Sequence, residues 1–208
     1  MYNPPHFKIT DAAELHRIIN SYPLGTLVSS FGGLDANHLP FEFDPKRGEL
    51  GTLTAHVARA NPICQTAAHG GEVMVIFRGA EGYISPNWYP SKHETHRLVP
   101  TWNYEVVHAH GQIQLLDDDK FVRGVVARLT RVHEATEPKP WKMGDSAPEY
   151  IDGMLAAIVG VEITITRLEG KAKLSQNREL RDRQGAVQVL QDKAQEALAS
   201  TMAKHAKS

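Results

Sequence analysis

The spacing of apolar residues changes period along the chain. Leu15, Ile18 and Ile19 share one helical face behind Asp11, a natural N-cap, and Pro23 closes the pattern, so a helix is predicted just before that proline. From Leu24 the period drops to two. Leu24–Ser30 and Ala36–Asp44, where Leu39, Phe41 and Phe43 alternate with Pro40 and Glu42, read as a hairpin across Phe31–Asp35. Pro40 marks an edge or a bulge, because it has no amide hydrogen to give to a ladder. Past the turn at residues 44–48, the pattern predicts a third strand over Glu49–Ala55 and a short helix from about Asn61 to His69. A fourth strand follows over Val73–Gly79 and a short fifth over Gly82–Ser85.

The second half keeps both periods. Tyr104–Leu116 alternates over its whole length, with Val107, Ala109, Ile113 and Leu115 on one face and Val106, His108, His110 and Gln112 on the other. Acidic residues 117–119 then open a helix over about 118–134 that carries Phe121, Val125, Leu129 and Val132 at helical spacing, ended by Pro138 and Pro140. A further helix over about 147–158 presents Tyr150, Met154, Leu155 and Ile158, and Gly160 separates it from a β-branched strand, Val161–Leu168. About seven strands at hairpin spacing with helices inserted late describe a mainly β, α+β protein: a small antiparallel barrel with peripheral helices. One domain is expected over residues 1–190, with a helical insertion at about 118–158, and residues 191–208 as a C-terminal helix or flexible tail.

Composition narrows the partners. The formal charge of −1 gives no general attraction to phosphate backbones or anionic lipid. A single cysteine, Cys64, excludes an internal disulfide and a CxxC metal site. No apolar run is long enough for a membrane span, and a cytoplasmic protein is expected.

Chemistry concentrates in three stretches. The first, Tyr83–Tyr89 with Val99–Tyr104, holds two of the three tryptophans, Trp88 and Trp102, beside Ser85, Asn103 and Tyr104. Prolines stiffen the backbone there, so the rings suit a planar ligand; a dimer interface or a barrel mouth would use them equally well. In the second, Thr54, His56 and Arg59 leave a strand and enter a helix through Asn61-Pro62, which reads as a phosphate site or simply as a capped helix. The third, residues 169–178, brings Lys171, Lys173 and Arg178 together with Gln176 and Asn177, either to neutralise a phosphate and meet ring carbonyls or as a solvated basic edge. Although there are eleven histidines, no third ligand recurs at useful spacing from His108 and His110, so no metal site is expected. A lone axial histidine for haem is compatible with His56 or His38.

Taken together, residues 1–7, Ala55–Pro62, Tyr83–Tyr89, Pro100–Tyr104 and Lys173–Arg178 resemble the PaiB family over about residues 1–190. The resemblance implies an FMN-binding split β-barrel like that of the pyridoxamine-phosphate-oxidase-like flavoproteins, a role as a negative transcriptional regulator, and a homodimer with the cofactor at the interface. It also implies Thr54 and Arg59 as phosphate ligands with His56 nearby. This chain has Ala55 where the family pattern has glycine and Ala172 where it has an aromatic. No helix-turn-helix is visible, so DNA contact would use Arg178, Arg181 and Arg183 on a dimer surface. The competing readings are a flavin-dependent oxidoreductase acting on a small molecule and a haem-binding protein on the same barrel.

Overall fold

The computed structural model describes residues 1–67 and 69–206; Ala68, inside the expected short helix, and residues 207–208 of the expected tail lie outside the described residues. Two compact units divide the chain. One comprises Met1–Ser21, Arg78–Val107 and the chain from Glu169, and the other Tyr22–Phe77 and His108–Leu168. The described residues form eight strands: β1 (Lys8–Ile9), β2 (Leu24–Ser29), β3 (Asp35–Pro40), β4 (Glu42–Asp44), β5 (Thr52–Ala58), β6 (Gly71–Ile84), β7 (Thr101–Leu116) and β8 (Ile158–Lys173). The helices are α1 (Ala12–Ser21), α2 (Ile63–Thr66), α3 (Pro90–Thr95), α4 (Asp119–Glu134), α5 (Pro148–Ala156), α6 (Leu180–Asp192) and α7 (Glu196–Ala206).

In the Tyr22–Leu168 unit the strand order is β3-β2-β6-β7-β8-β5-β4, and the pairings of β2 with β3 and β6, β4 with β5, and β5 with β8 are antiparallel. The predicted first hairpin is there, with Leu24 opposite Pro40 and Ser29 opposite Asp35. Pro40 ends the outermost strand, where its missing amide hydrogen costs no ladder bond. The third strand starts three residues later than the pattern suggested. Gly51 sits at φ +97 with the Phe43 ring 2.4 Å from where a Cβ would be, so the chain turns through this glycine before it can extend. Val107, Ala109 and Ile113 are buried while His108 and His110 are half-buried, as the alternation in β7 requires.

Asp118 caps α4 by accepting from the Phe121 amide at 2.7 Å, and Val125 and Leu129 are buried. Val132, expected on the same stripe, is instead 64 % exposed. On α5 the buried residue is Ile151, one place along from the predicted stripe, and Tyr150 and Met154 face outward.

In the other unit, α1 begins where predicted: Asp11 Oδ1 accepts from the Ala13 amide at 2.9 Å, and Leu15, Ile18 and Ile19 are buried. Lys8 and Ile9 of β1 lie opposite Lys171 and Gly170 of β8. The fourth and fifth predicted strands are one strand, β6. Gly79 and Gly82 do not break it, because Ala80 and Ile84 are buried and Arg78 forks onto Glu81 on the solvent side. Likewise Gly170 does not end β8, and the basic segment expected after it begins inside the strand. Of the two expectations for the C-terminus, the helix is present. Leu198, Ala199 and Met202 of α7 join Ala186 and Leu190 of α6, with Ile84, Tyr89 and Leu174, in one apolar cluster.

Candidate functional site

The strand–turn–helix passage from Tyr83 to Thr95 builds an aromatic platform in the unit that holds α1. Ser85 is half-buried. Its Oγ accepts from the Asn87 amide at 3.2 Å and so caps the single 3-10 turn Pro86–Trp88. That turn sets the Trp88 ring edge-on to Tyr83, with centroids 6.3 Å apart, and Trp102 at the start of β7 meets Tyr83 in the same way at 6.4 Å. Edge-on packing leaves ring faces uncovered: Tyr83 is 44 % and Trp102 58 % exposed.

Behind the platform lies a buried polar network, in which Asn103 Oδ1 has no hydrogen-bond partner among the described residues. Tyr89 and Asn103 are fully buried; the Tyr89 hydroxyl lies 2.7 Å from Ser175 Oγ, and Asn103 Nδ2 donates to the same oxygen at 2.9 Å. Ser175 occupies the left-handed region at φ 67, which aims its hydroxyl inward at both partners. A second buried link runs from α6 to α3, where Asp182 accepts from the Ser91 amide at 3.0 Å and hydroxyl at 2.6 Å. Gly185 stands where any Cβ would come 2.5 Å from the Trp88 carbonyl oxygen, so α6 can approach the platform only through a glycine. Tyr83 and Tyr89 lie in the aromatic stretch that the sequence singles out, whereas Ser175, Asp182 and Gly185 were missed as site residues. Only the polar run Leu174–Arg178 hinted at a special turn.

The basic stretch divides by role. Lys173 Nζ donates to the Trp102 carbonyl at 2.6 Å and to Thr101 Oγ1, which holds its ammonium beside the platform. Burial pushes its pKa below the ordinary lysine value, and the neighbouring Lys171 and Arg178 charges add to the shift. Lys171 is buried, with its ammonium over the rings of Tyr104 and Tyr2 at 5.4 and 5.7 Å and a bond to the Tyr2 carbonyl at 3.2 Å. The N-terminal arm thus takes up this charge, and Tyr104 serves as its cradle. Gln176 is a staple for the backbone: it accepts from the Leu174 amide and donates to the Ala172 carbonyl. Arg178 lies 6.0 Å over the Tyr89 ring and Asn177 is exposed.

Thr54, His56, Arg59 and Asn61 belong to the other unit. Arg59 does not extend a free guanidinium. It forks onto Asp117 at 2.6 and 2.7 Å and donates to the carbonyls of Ala156 and Ile158. This pairing holds the Asp117 carboxyl below its ordinary range. Thr54 Oγ1 donates to Glu42 at 3.1 Å, and Glu42 is held in turn by Arg128. Glu162, opposite Thr54 on β8, is paired with Arg47. Asn61 accepts from the Ile63 amide and donates to Asn37 at 2.6 Å, but α2 is a single turn, too short for the helix-end field a phosphate would use. The His56 imidazole is half-buried, its Nδ1 has no hydrogen-bond partner among the described residues, and burial lowers its pKa.

Two of the three arginines named for DNA contact, Arg181 and Arg183, are engaged within the chain. Arg181 is bound by Glu94 and Glu179, and Arg183 donates to the His205 carbonyl.

A flavin held by stacking requires ring-sized aromatic faces and gains from a cation at its polar edge. The open Tyr83 and Trp102 faces and Lys173 meet that requirement within one unit, whereas Thr54 and Arg59 are engaged with carboxylates. Comparison with known proteins bears on the family and its cofactor. Residues 1–167 match a family described as "Putative FMN-binding domain". The chain is 32 % identical over 193 residues to "Protease synthase and sporulation protein PAI 2" of Bacillus subtilis, covering 92 % of this chain and 90 % of that one. Its fold is shared with a conserved hypothetical protein of Mycobacterium tuberculosis (TM-score 0.59, 12 % identity, 86 % of this chain and 94 % of the other). It is also shared with the "FAD and Heme binding protein" of Mycobacterium smegmatis (TM-score 0.55, 17 % identity, 80 % and 73 %). No described helix is long and apolar enough to cross a membrane. With this sequence match over most of its length, and with ring faces suited to a flavin, the chain belongs to the PaiB family of FMN-binding split-barrel proteins.

Proposed function

We propose that this protein is a cytoplasmic negative transcriptional regulator that holds FMN as a ligand or redox sensor and works as a homodimer with the cofactor at the interface. The observation that carries the reading is the Tyr83–Trp88–Trp102 platform, whose open faces are fixed from behind by the buried Tyr89–Ser175–Asn103 network. Such a platform holds a ring without moving, which suits a signal read from the state of the cofactor. When bound, FMN supplies the redox chemistry. Tyr83 and Trp102 offer stacking surface, Lys173 offers positive charge beside them, and the network keeps both rings in place.

The regulator reading is supported by the family relationship. Its test is selection of DNA fragments from a random library at physiological salt by the FMN-loaded protein, oxidised and then reduced with dithionite. Enrichment of one sequence in one flavin state, lost in the other, is the expected result. No enriched sequence in either state, together with turnover of a reduced nicotinamide, would replace the regulator with an oxidoreductase. A haem band after reconstitution would turn attention to His56, whose half-buried imidazole has an unpartnered Nδ1 and a pKa lowered by burial, as suits an axial ligand.

A further inference from the structure

We propose that Glu14 and His205, on the wall of a cavity of about 440 Å³, form with the buried Glu105 a binding site for one divalent transition-metal ion, with zinc the best match. The site shares no residue with the aromatic platform, and it goes against the expectation that the chain has no metal site.

Three elements far apart in sequence bring these side chains together: α1, β7 and α7. One ligand atom from each, a carboxylate oxygen from Glu14 and from Glu105 and a ring nitrogen from His205, lies within 4.8 Å of the other two. Atoms at that spacing need only small side-chain rotations to meet an ion at zinc's usual distances of about 2.0–2.2 Å.

The second observation is the state of Glu105. Its side chain has no exposed surface, and its Oε2 accepts no hydrogen bond among the described residues. Leaving a buried carboxylate oxygen unpaired is costly, and a cation is the partner that best removes the cost. Arg17 does not supply it. Its guanidinium bonds to Oε1 of Glu105 at 2.6 Å and to Oε1 of Glu14 at 2.9 Å. Oε2 of Glu105 is thereby left for another partner, and Arg17 takes the place of the outer hydrogen-bonding groups that orient metal ligands.

The charges are compatible with a divalent ion. Two carboxylates and one guanidinium leave a single negative charge, so a bound ion brings the cluster to a single positive charge. Lys8 and Lys204 also line the cavity and favour an anion or hydroxide in the remaining coordination positions. Two oxygens and one nitrogen with open positions match the three-ligand pattern of zinc sites that exchange ligands, rather than the closed four-ligand pattern of structural ones.

The test is equilibrium dialysis of untagged, chelator-treated full-length protein against zinc chloride, with metal analysis and calorimetry. Wild type is compared with His205→Ala and Glu14→Gln, both at half-buried positions, and with the isosteric Glu105→Gln. Wild type should hold one more zinc per chain than any of the three variants, or bind that zinc at least about tenfold more tightly. Circular dichroism should show His205→Ala and Glu14→Gln folded as wild type, so that a loss of zinc in them reflects lost ligands. Equal stoichiometry and affinity in wild type, His205→Ala and Glu14→Gln would overturn the site. Zinc held by other histidines cancels in this comparison.

Discussion

Replacing Ser175 by alanine should weaken the fold far more than loss of one hydroxyl suggests. Its Oγ is the shared partner of Tyr89 and Asn103, whose side chains are 1 % and 0 % exposed. The substitution leaves two buried polar groups short of that partner. At about 1–3 kcal/mol for each unsatisfied buried group, less what Asn103 keeps through its contact with Met202 Sδ, the expected loss is about 2–4 kcal/mol. That is a large share of the roughly 5–15 kcal/mol that holds a typical domain together. Tyr89→Phe removes a single partner and leaves Ser175 bonded to Asn103, so it should cost about 0.5–1.5 kcal/mol. The double variant should lose less than the sum of the two, because one of the stranded groups is gone. Ser175→Gly should be milder than Ser175→Ala, since alanine keeps the strain of φ 67 and glycine does not. Urea denaturation with a constant m-value is the assay. A Ser175→Ala protein as stable as wild type, or strictly additive losses, would refute the shared-acceptor account.

Three further outcomes follow from the same geometry. Trp102→Ala should weaken FMN binding by about 0.5–1.5 kcal/mol beyond the lost contact area, without changing the melting temperature, as read by fluorescence titration; unchanged affinity would remove Trp102 from the site. Gly185→Ala forces a methyl group against the Trp88 carbonyl and should cost about 1–3 kcal/mol in denaturant and loosen the flavin, whereas a neutral substitution would show that α6 can shift freely. His56 carries a pKa lowered by burial, so the folded state binds its proton less readily than the unfolded chain. Its contribution to stability is therefore complete above the ordinary value of 6.5 and is lost as pH falls from there through the folded pKa. Thermal melts between pH 7.5 and 5.5, about a unit either side of an ordinary histidine pKa, should fall less steeply for His56→Gln than for wild type.

The strands and helices of this fold were legible where period and punctuation agree, as at Asp11, at Asp118 and in the hairpin from Leu24 to Pro40. They were misread where glycine is a packing residue. Gly79, Gly82 and Gly170 look like breaks, yet each lies within a long strand; a Cβ at Gly82 would come 2.8 Å from Leu198, and one at Gly170 would come 2.2 Å from Leu15. The site was legible in its aromatic residues but not in its charges. Composition shows that Arg59, Lys171 and Gln176 can bind a phosphate or a ring, but not that Asp117, the rings of Tyr2 and Tyr104, and nearby backbone have already engaged them. The Ser175 network escaped notice because it depends on a left-handed residue that is not glycine, a conformation local sequence rarely signals.

The proposed function stands on FMN binding at the Tyr83–Trp88–Trp102 platform. Its most direct test is a visible absorption spectrum of the protein after incubation with excess FMN and desalting, alongside Trp102→Ala. Flavin bands close to one equivalent per chain are expected in wild type, with tryptophan emission quenched, and a clear loss in the variant. Wild-type protein that emerges colourless, or that shows a Soret band in place of flavin, would contradict it.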